Sequence, residues 1–149
     1  MNVLSLGEDA SDGRAVDVEA HGDCVKKDAR GLDVAGRAGD LMDQCTWFSA
    51  DFVGVQEART SGPAQRTAKH FFVIDSGADH GNLGTALWVA KKIGGIVIRP
   101  EQLVTAYADP RRLFVALRAP GLSVNCIVLH ALSASESDES KQEWWDKST

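Results

Sequence analysis

The sequence predicts a strand-rich α/β fold, its strands mostly antiparallel or mixed, with one internal helix and a second at the C-terminus. Three observations carry that reading. Apolar runs of strand length recur from DFVGVQ (51–56) to SVNCIVLH (123–130). One stretch ahead of them spaces its apolar residues at helical intervals, and an acidic segment led by serines closes the chain in helix-compatible composition. At 149 residues, 44% apolar and 25% charged, the chain has the size and balance of one globular domain. No Gly/Ser or Pro linker divides it and no repeat of solenoid length runs through it.

Taken in order, Val3–Leu6 is a short apolar run that GEDASDG ends with turn-formers, which predicts a first strand. Residues 8–35, rich in Asp, Gly and Ala without a sustained period, read as a long loop. From Gly36 the spacing changes: Leu41, Cys45 and Phe48 fall at i, i+4 and i+7 with Met42 beside them, one apolar stripe of a helix. Asp51 then begins the next strand, so strand, helix and strand form a βαβ-like unit whose strand pairing the sequence leaves open.

After Glu57 the expected strands are HFFVID (70–75), LGTALWVA (83–90), GIVIR (95–99), LVTAYA (103–108), RLFVALRA (112–119) and SVNCIVLH (123–130). Pro120-Gly121 between the last two predicts a hairpin, and their alternation predicts one buried and one partly exposed face. In the tail, Ser137 or Ser140 is available as an N-cap with acidic residues in the first turn. Trp144 and Trp145 are expected to pack back on the sheet.

Charge is uneven. The formal net charge is −5, yet residues 61–130 carry 8 basic and 4 acidic groups. A nucleic-acid surface needs locally concentrated Lys and Arg, not a basic whole; a solvated charged surface is the plainer account of the same pattern. Cys24, Cys45 and Cys126 are widely spaced, odd in number and form no C-x-x-C pair, so neither a disulfide framework nor a zinc knuckle is supported and packing roles are expected. No run approaches the roughly 18 apolar residues of a membrane span, and the N-terminus lacks a signal-peptide pattern. The expected setting is therefore intracellular, the nucleus included, without a membrane partner.

Three polar residues stand at the ends of apolar strands: Asn2 before the first, Glu57 after the second and His130 after the last. Asn can hold a phosphate oxygen or orient a carboxylate, Glu can ligate a hard cation such as Mg²⁺, and His can move a proton near neutral pH. Together they suit metal-assisted phosphodiester hydrolysis. The plainer readings are a strand-end acid paired with Arg59, a hydrogen-bonded structural histidine and a terminal asparagine.

Their order adds weight. Asn before a strand, then Phe-Val-Gly-Val-Gln-Glu, then Gly-Asn-Leu-Gly ahead of an apolar Leu-Trp-Val strand resembles the endonuclease/exonuclease/phosphatase superfamily. LHALSAS resembles the histidine-bearing strand end of its DNase I-like branch. QEART, GNLGTALWVAKK, ADPRRLFVALRAPGLSV and the closing EWW look like the endonuclease domains of LINE-type retrotransposons, which are associated with a reverse transcriptase. The resemblance covers nearly the whole chain, least well over 8–35. It implies a two-sheet α/β sandwich with a divalent-metal site at the strand ends, Mg²⁺ or Mn²⁺ as cofactor and DNA as substrate. It also implies Glu57 as metal ligand, Asn2 as a metal- or phosphate-shell residue, and His130 as a phosphate contact or proton donor.

Members of the family run on past the equivalent of Trp145 into an Asp-x-Asn motif and a late Asp-His pair, neither of which stands at its place here. Asp79-His80 reads as a turn just before Gly81-Asn82. Leu132 and Ser133 occupy positions where relatives carry Pro and a polar residue, and only Met1 precedes Asn2. Residues 1–149 are therefore expected to form a single incomplete domain, weakly active or inactive, with an exposed sheet edge open to self-association. Two alternatives remain: a non-catalytic fragment that binds nucleic acid or protein, and a phosphatase of the same superfamily.

Overall fold

Helix α1 (Arg37–Trp47) leads into the strands in a computed structural model that describes residues 36–80 and 82–148. Asn2, the expected strand Val3–Leu6 and the loop 8–35 lie outside the described residues. Leu41 and Met42 are the buried residues of α1, with Ala38 and Cys45 partly buried beside them. Phe48 does not complete that stripe: the helix stops at Trp47, Phe48 becomes its C-cap, and its ring is 73% exposed.

Four strands make the first sheet: β1 (Phe52–Gln56), β2 (Pro63–Thr67), β3 (Phe71–Ser76) and β4 (Thr85–Ala90), in the order β1-β4-β3-β2, all antiparallel. A two-stranded ribbon follows, β5 (Lys92–Ile93) and β6 (Ile96–Val97). The expected strand 95–99 is thus reduced to two residues. Its turn is Gly94-Gly95, both at positive φ, the pair of conformations that a two-residue hairpin turn demands. The last sheet, β7 (Leu103–Asp109), β8 (Arg112–Ala119) and β9 (Leu122–Leu129), is an antiparallel meander whose second turn uses the expected Gly121, at φ +79°. Helix α2 (Asp138–Asp146) starts at Ser137, whose hydroxyl accepts from the Ser140 backbone N–H at 3.1 Å.

Side-chain alternation sorts the strands into layers. Val53, Val55, Phe71, Val73, Ala86 and Trp88 pack with Leu41 and Met42 of α1. Phe72, Ile74, Leu87 and Val89 point the other way, against Leu113, Val115, Leu117 and Val128 of the second sheet. The first sheet is therefore covered on both faces, which is why all of β3 and nearly all of β4 are buried. The second sheet is covered on one face only, and β8 and β9 show the expected alternation.

The structure also departs from the sequence expectations at β2 and at Trp145. Residues 63–67 form a strand that apolar patterning does not reveal, because β2 is a fully exposed edge and gains nothing from apolar residues. Trp144 is buried and, with Asp109 and Arg112 at the strand ends of the second sheet, lines a surface cavity beside the β7–β8 turn. Trp145 does not pack on the sheet: it is 50% exposed and stacks edge-on against Trp144. No described helix is long and apolar enough to cross a membrane.

Gly77 ends β3 at φ +81°, and a Cβ there would stand 2.8 Å from the Pro63 backbone nitrogen. Both the dihedral and the space require glycine. Gly77→Ala is expected to lower stability by about 2 kcal/mol or more. Gly39→Ala, on the exposed side of α1 with nothing within 4 Å of the new methyl, is expected to raise it by about 0.5–1 kcal/mol. Urea unfolding midpoints of the two variants check both signs.

Candidate active site

β1 alternates Val53 and Val55 toward α1 with Phe52, Gly54 and Gln56 toward the second sheet. Gly54 lets that sheet come close: a Cβ there would meet the Val128 methyls at 3.4 and 3.5 Å. One turn of the pleat further on, the Gln56 side-chain amide donates to the Leu129 carbonyl at 2.5 Å. The ends of β1 and β9 are thereby tied together, and the next residue on each strand is Glu57 and His130.

Glu57 leaves the strand at φ +54°, a conformation uncommon for a side-chain-bearing residue, and Arg59 (φ +56°) and Leu83 (φ +62°) repeat it nearby. Backbone hydrogen bonds hold the segment in place. Ala58 N–H donates to Gly84 O and Arg59 N–H to Leu83 O, each at 3.0 Å, and Ala78 N–H donates to Thr60 O at 2.9 Å. The two motifs that stand apart in sequence, QEART and NLG, are therefore laced side by side. Gly84 allows it, since at φ +85° its Cβ would lie 3.1 Å from the Arg59 nitrogen.

Glu57 Oε2 accepts from Arg59 Nη2 at 3.0 Å, so the plainer reading of this acid, a pair with Arg59, is realised. Its other oxygen, Oε1, lies 3.7 Å from His130 Nε2, beyond hydrogen-bond reach and within electrostatic contact. Both side chains are less than one-fifth exposed. Burial pushes the His130 imidazole below its ordinary value, the Arg111 guanidinium pushes it the same way, and the Glu57 carboxylate pulls it up without prevailing. Nδ1 of His130 is buried and has no hydrogen-bond partner among the described residues. An imidazolium would have to bury an N–H there with nothing to bond, which favours the neutral ring.

Arg111 is the functional neighbour that apolar patterning misses; the sequence signal for it is the Asp-Pro-Arg-Arg turn ahead of β8. Its carbonyl accepts the His130 N–H at 2.7 Å and its guanidinium donates to Ala131 O at 3.0 Å. Asp109 shapes that turn by accepting both the Arg111 and Arg112 N–H groups at 2.8 Å, with Arg112 Nε at 2.7 Å and the Tyr107 hydroxyl at 2.8 Å. Burial pushes the Asp109 carboxyl up, but these donors outweigh it and leave the group below the usual carboxylate range. Arg112 also donates to Lys147 O at the end of α2, and Pro110 O accepts from Gly84 N–H. The same turn thus fixes His130, α2 and the NLG segment.

Of the three sequence-nominated residues, Glu57 and His130 converge and Asn2 lies outside the described residues. Asp79-His80 stays a turn: Asp79 bridges Asn82 by two backbone hydrogen bonds and the His80 side chain is 95% exposed. Among the described residues no three His, Cys, Asp or Glu side chains gather to hold a metal ion. Glu57 Oε1 has the chemistry of one hard-cation ligand, an anionic oxygen not taken up by Arg59. The chain matches no family model, and no curated protein matches it significantly.

A depressed His130 value links pH to stability. The unfolded chain takes up a proton at about pH 6.5, while the folded chain resists until its own lower value. Stability attached to the neutral ring is therefore complete above about pH 6.5 and is lost as pH falls through the folded-state value. Following the His130 ring protons by NMR should give a midpoint below about 6.5. Glu57→Gln should lower it further and Arg111→Gln should raise it; a wild-type midpoint at or above the ordinary value would contradict the assigned environment.

Proposed function

We propose that this chain is a DNase I-like phosphodiesterase of the endonuclease/exonuclease/phosphatase superfamily, acting on DNA with Mg²⁺ or Mn²⁺ and with low activity. The single observation that carries this reading is the approach of Glu57 to His130, 73 positions apart in sequence and 3.7 Å apart in space. Both stand at the ends of apolar strands, and the fold brings these two strand ends together. The facing of two antiparallel sheets under a helix is compatible with the sandwich that the resemblance implies.

In this reading Glu57 Oε1 and Asn2 would be the residues to hold the cation, which when bound would supply positive charge for a phosphoryl oxygen. Arg59 steadies the carboxylate through Oε2. His130, neutral near pH 7, offers Nε2 as the point at which a proton is accepted from a nucleophile or returned to a leaving oxygen. Arg111 adds positive charge beside it for the anionic substrate. Activity is low because no second carboxylate joins Glu57 and His130 among the described residues to orient a water. The edge of β7 that no other described strand pairs with, where Val104 and Tyr107 are exposed, is the edge through which self-association is proposed.

Supercoiled plasmid incubated with the purified chain is expected to be nicked slowly in Mg²⁺ or Mn²⁺ and not in chelator. Glu57→Gln should abolish the nicking, and His130→Ala should slow it by about 10²–10⁴-fold. Nicking that proceeds unchanged in Glu57→Gln would remove the basis for the assignment.

A further inference from the structure

The end of the first sheet opposite Glu57 carries a second feature that the proposed chemistry does not use. Trp47 and Phe48, at the C-terminus of α1, are 81% and 73% exposed, and their rings touch edge to face at a centroid distance of 4.9 Å. Large aromatic rings are ordinarily the first residues a core takes up, and here two neighbours are left in solvent. Their chain neighbours Thr46 and Ser49 line a cavity of about 340 Å³ together with Lys69, His70, Lys91 and Lys92. Antiparallel pairing brings those residues together, since Phe71 sits opposite Ala90 and the chain turns from each into the same end of the sheet.

Charge favours an anion at this cavity. Asp51 is the carboxylate of the lining, and Asp43 outside it pairs with Lys69 at 3.3 Å and His70 at 3.1 Å. The Lys91 ammonium lies over the Phe72 ring, 5.9 Å from its centroid, while Lys92 is exposed. We propose that this end of the sheet binds single-stranded nucleic acid, with bases stacked on Trp47 and Phe48 and the backbone phosphates set against Lys69 and Lys92. Aromatic faces beside a basic groove are what unpaired strands bind without regard to sequence, because every base presents a stacking face and every nucleotide a phosphate. Duplex DNA hides its base faces and fits the lysines alone. The length of β1, about 17 Å, separates this platform from Glu57, so it stands on its own observation whatever chemistry Glu57 performs.

Fluorescence-anisotropy titration of the full chain with a labelled short oligothymidylate tests the proposal, with a blunt duplex of equal length and polyglutamate as comparison ligands. Binding should be salt-sensitive and favour the single strand. It should weaken by about tenfold or more in Trp47→Ala and in Phe48→Ala. Lys92→Gln should reduce the salt dependence, and Lys141→Gln on α2 should leave binding unchanged. Circular-dichroism melting verifies that these surface variants fold. Equal affinity for the duplex, tighter binding of polyglutamate, or binding that ignores Trp47, Phe48 and Lys92 overturns the proposal; loss in Lys141→Gln alone overturns it too, by locating the contact on α2.

Discussion

Burial of the first sheet on both faces is the constraint from which the rest of this structure follows. β3 and β4 have no side chain to spare for solvent along most of their length, so each face needs a cover. On one side α1 supplies it with Leu41 and Met42; on the other the second sheet supplies Leu113, Val115, Leu117 and Val128. Trp88, fully buried between β1 and β3 and against Phe71, anchors the helical side. Because the first sheet is sandwiched, the ends of its strands become the places where polar chemistry can reach water.

Asp109 then decides how one of those ends is finished. A single carboxylate gathers two backbone N–H groups, a guanidinium and a phenol, and so converts the short Asp-Pro-Arg-Arg turn into a rigid corner. From that corner Arg111 reaches the backbone of His130 and Ala131, and Pro110 reaches Gly84. The left-handed residues Glu57, Arg59 and Leu83 lie on the other side of the same junction. Conformations of this kind persist only where surrounding bonds over-determine them, as the backbone bonds of Ala58, Arg59 and Ala78 do here.

Much of this was legible in the sequence. The strands 70–75, 83–90, 112–119 and 123–130 are expected from apolar runs and realised with small boundary shifts, because burial on one or both faces writes itself into composition. Glu57 and His130 were legible as strand-end residues that apolar runs do not explain. β2 was illegible because an exposed polar edge leaves no apolar trace. Phe48 was misread for a different reason: helical spacing assigns a direction only while the helix continues, and α1 stops one residue earlier. Trp145 shows the same limit, since adjacent residues on a helix cannot both face inward. Arg111 enters the site through its carbonyl and its guanidinium together, placed there by the Asp-Pro-Arg-Arg turn, which apolar patterning does not read.

The Gln56 amide bonded to the Leu129 carbonyl has a mechanical meaning. It is a crossbar between two sheets whose facing cores meet through apolar side chains, which can slide on each other with little directional resistance, and it works beside the Gly84 N–H bond to the Pro110 carbonyl. The gap between Glu57 and His130 is therefore a gauge of sheet alignment. Any packing change deep in the interface that shifts one sheet along the other is transmitted, through one side chain, to the spacing of the two groups at its rim.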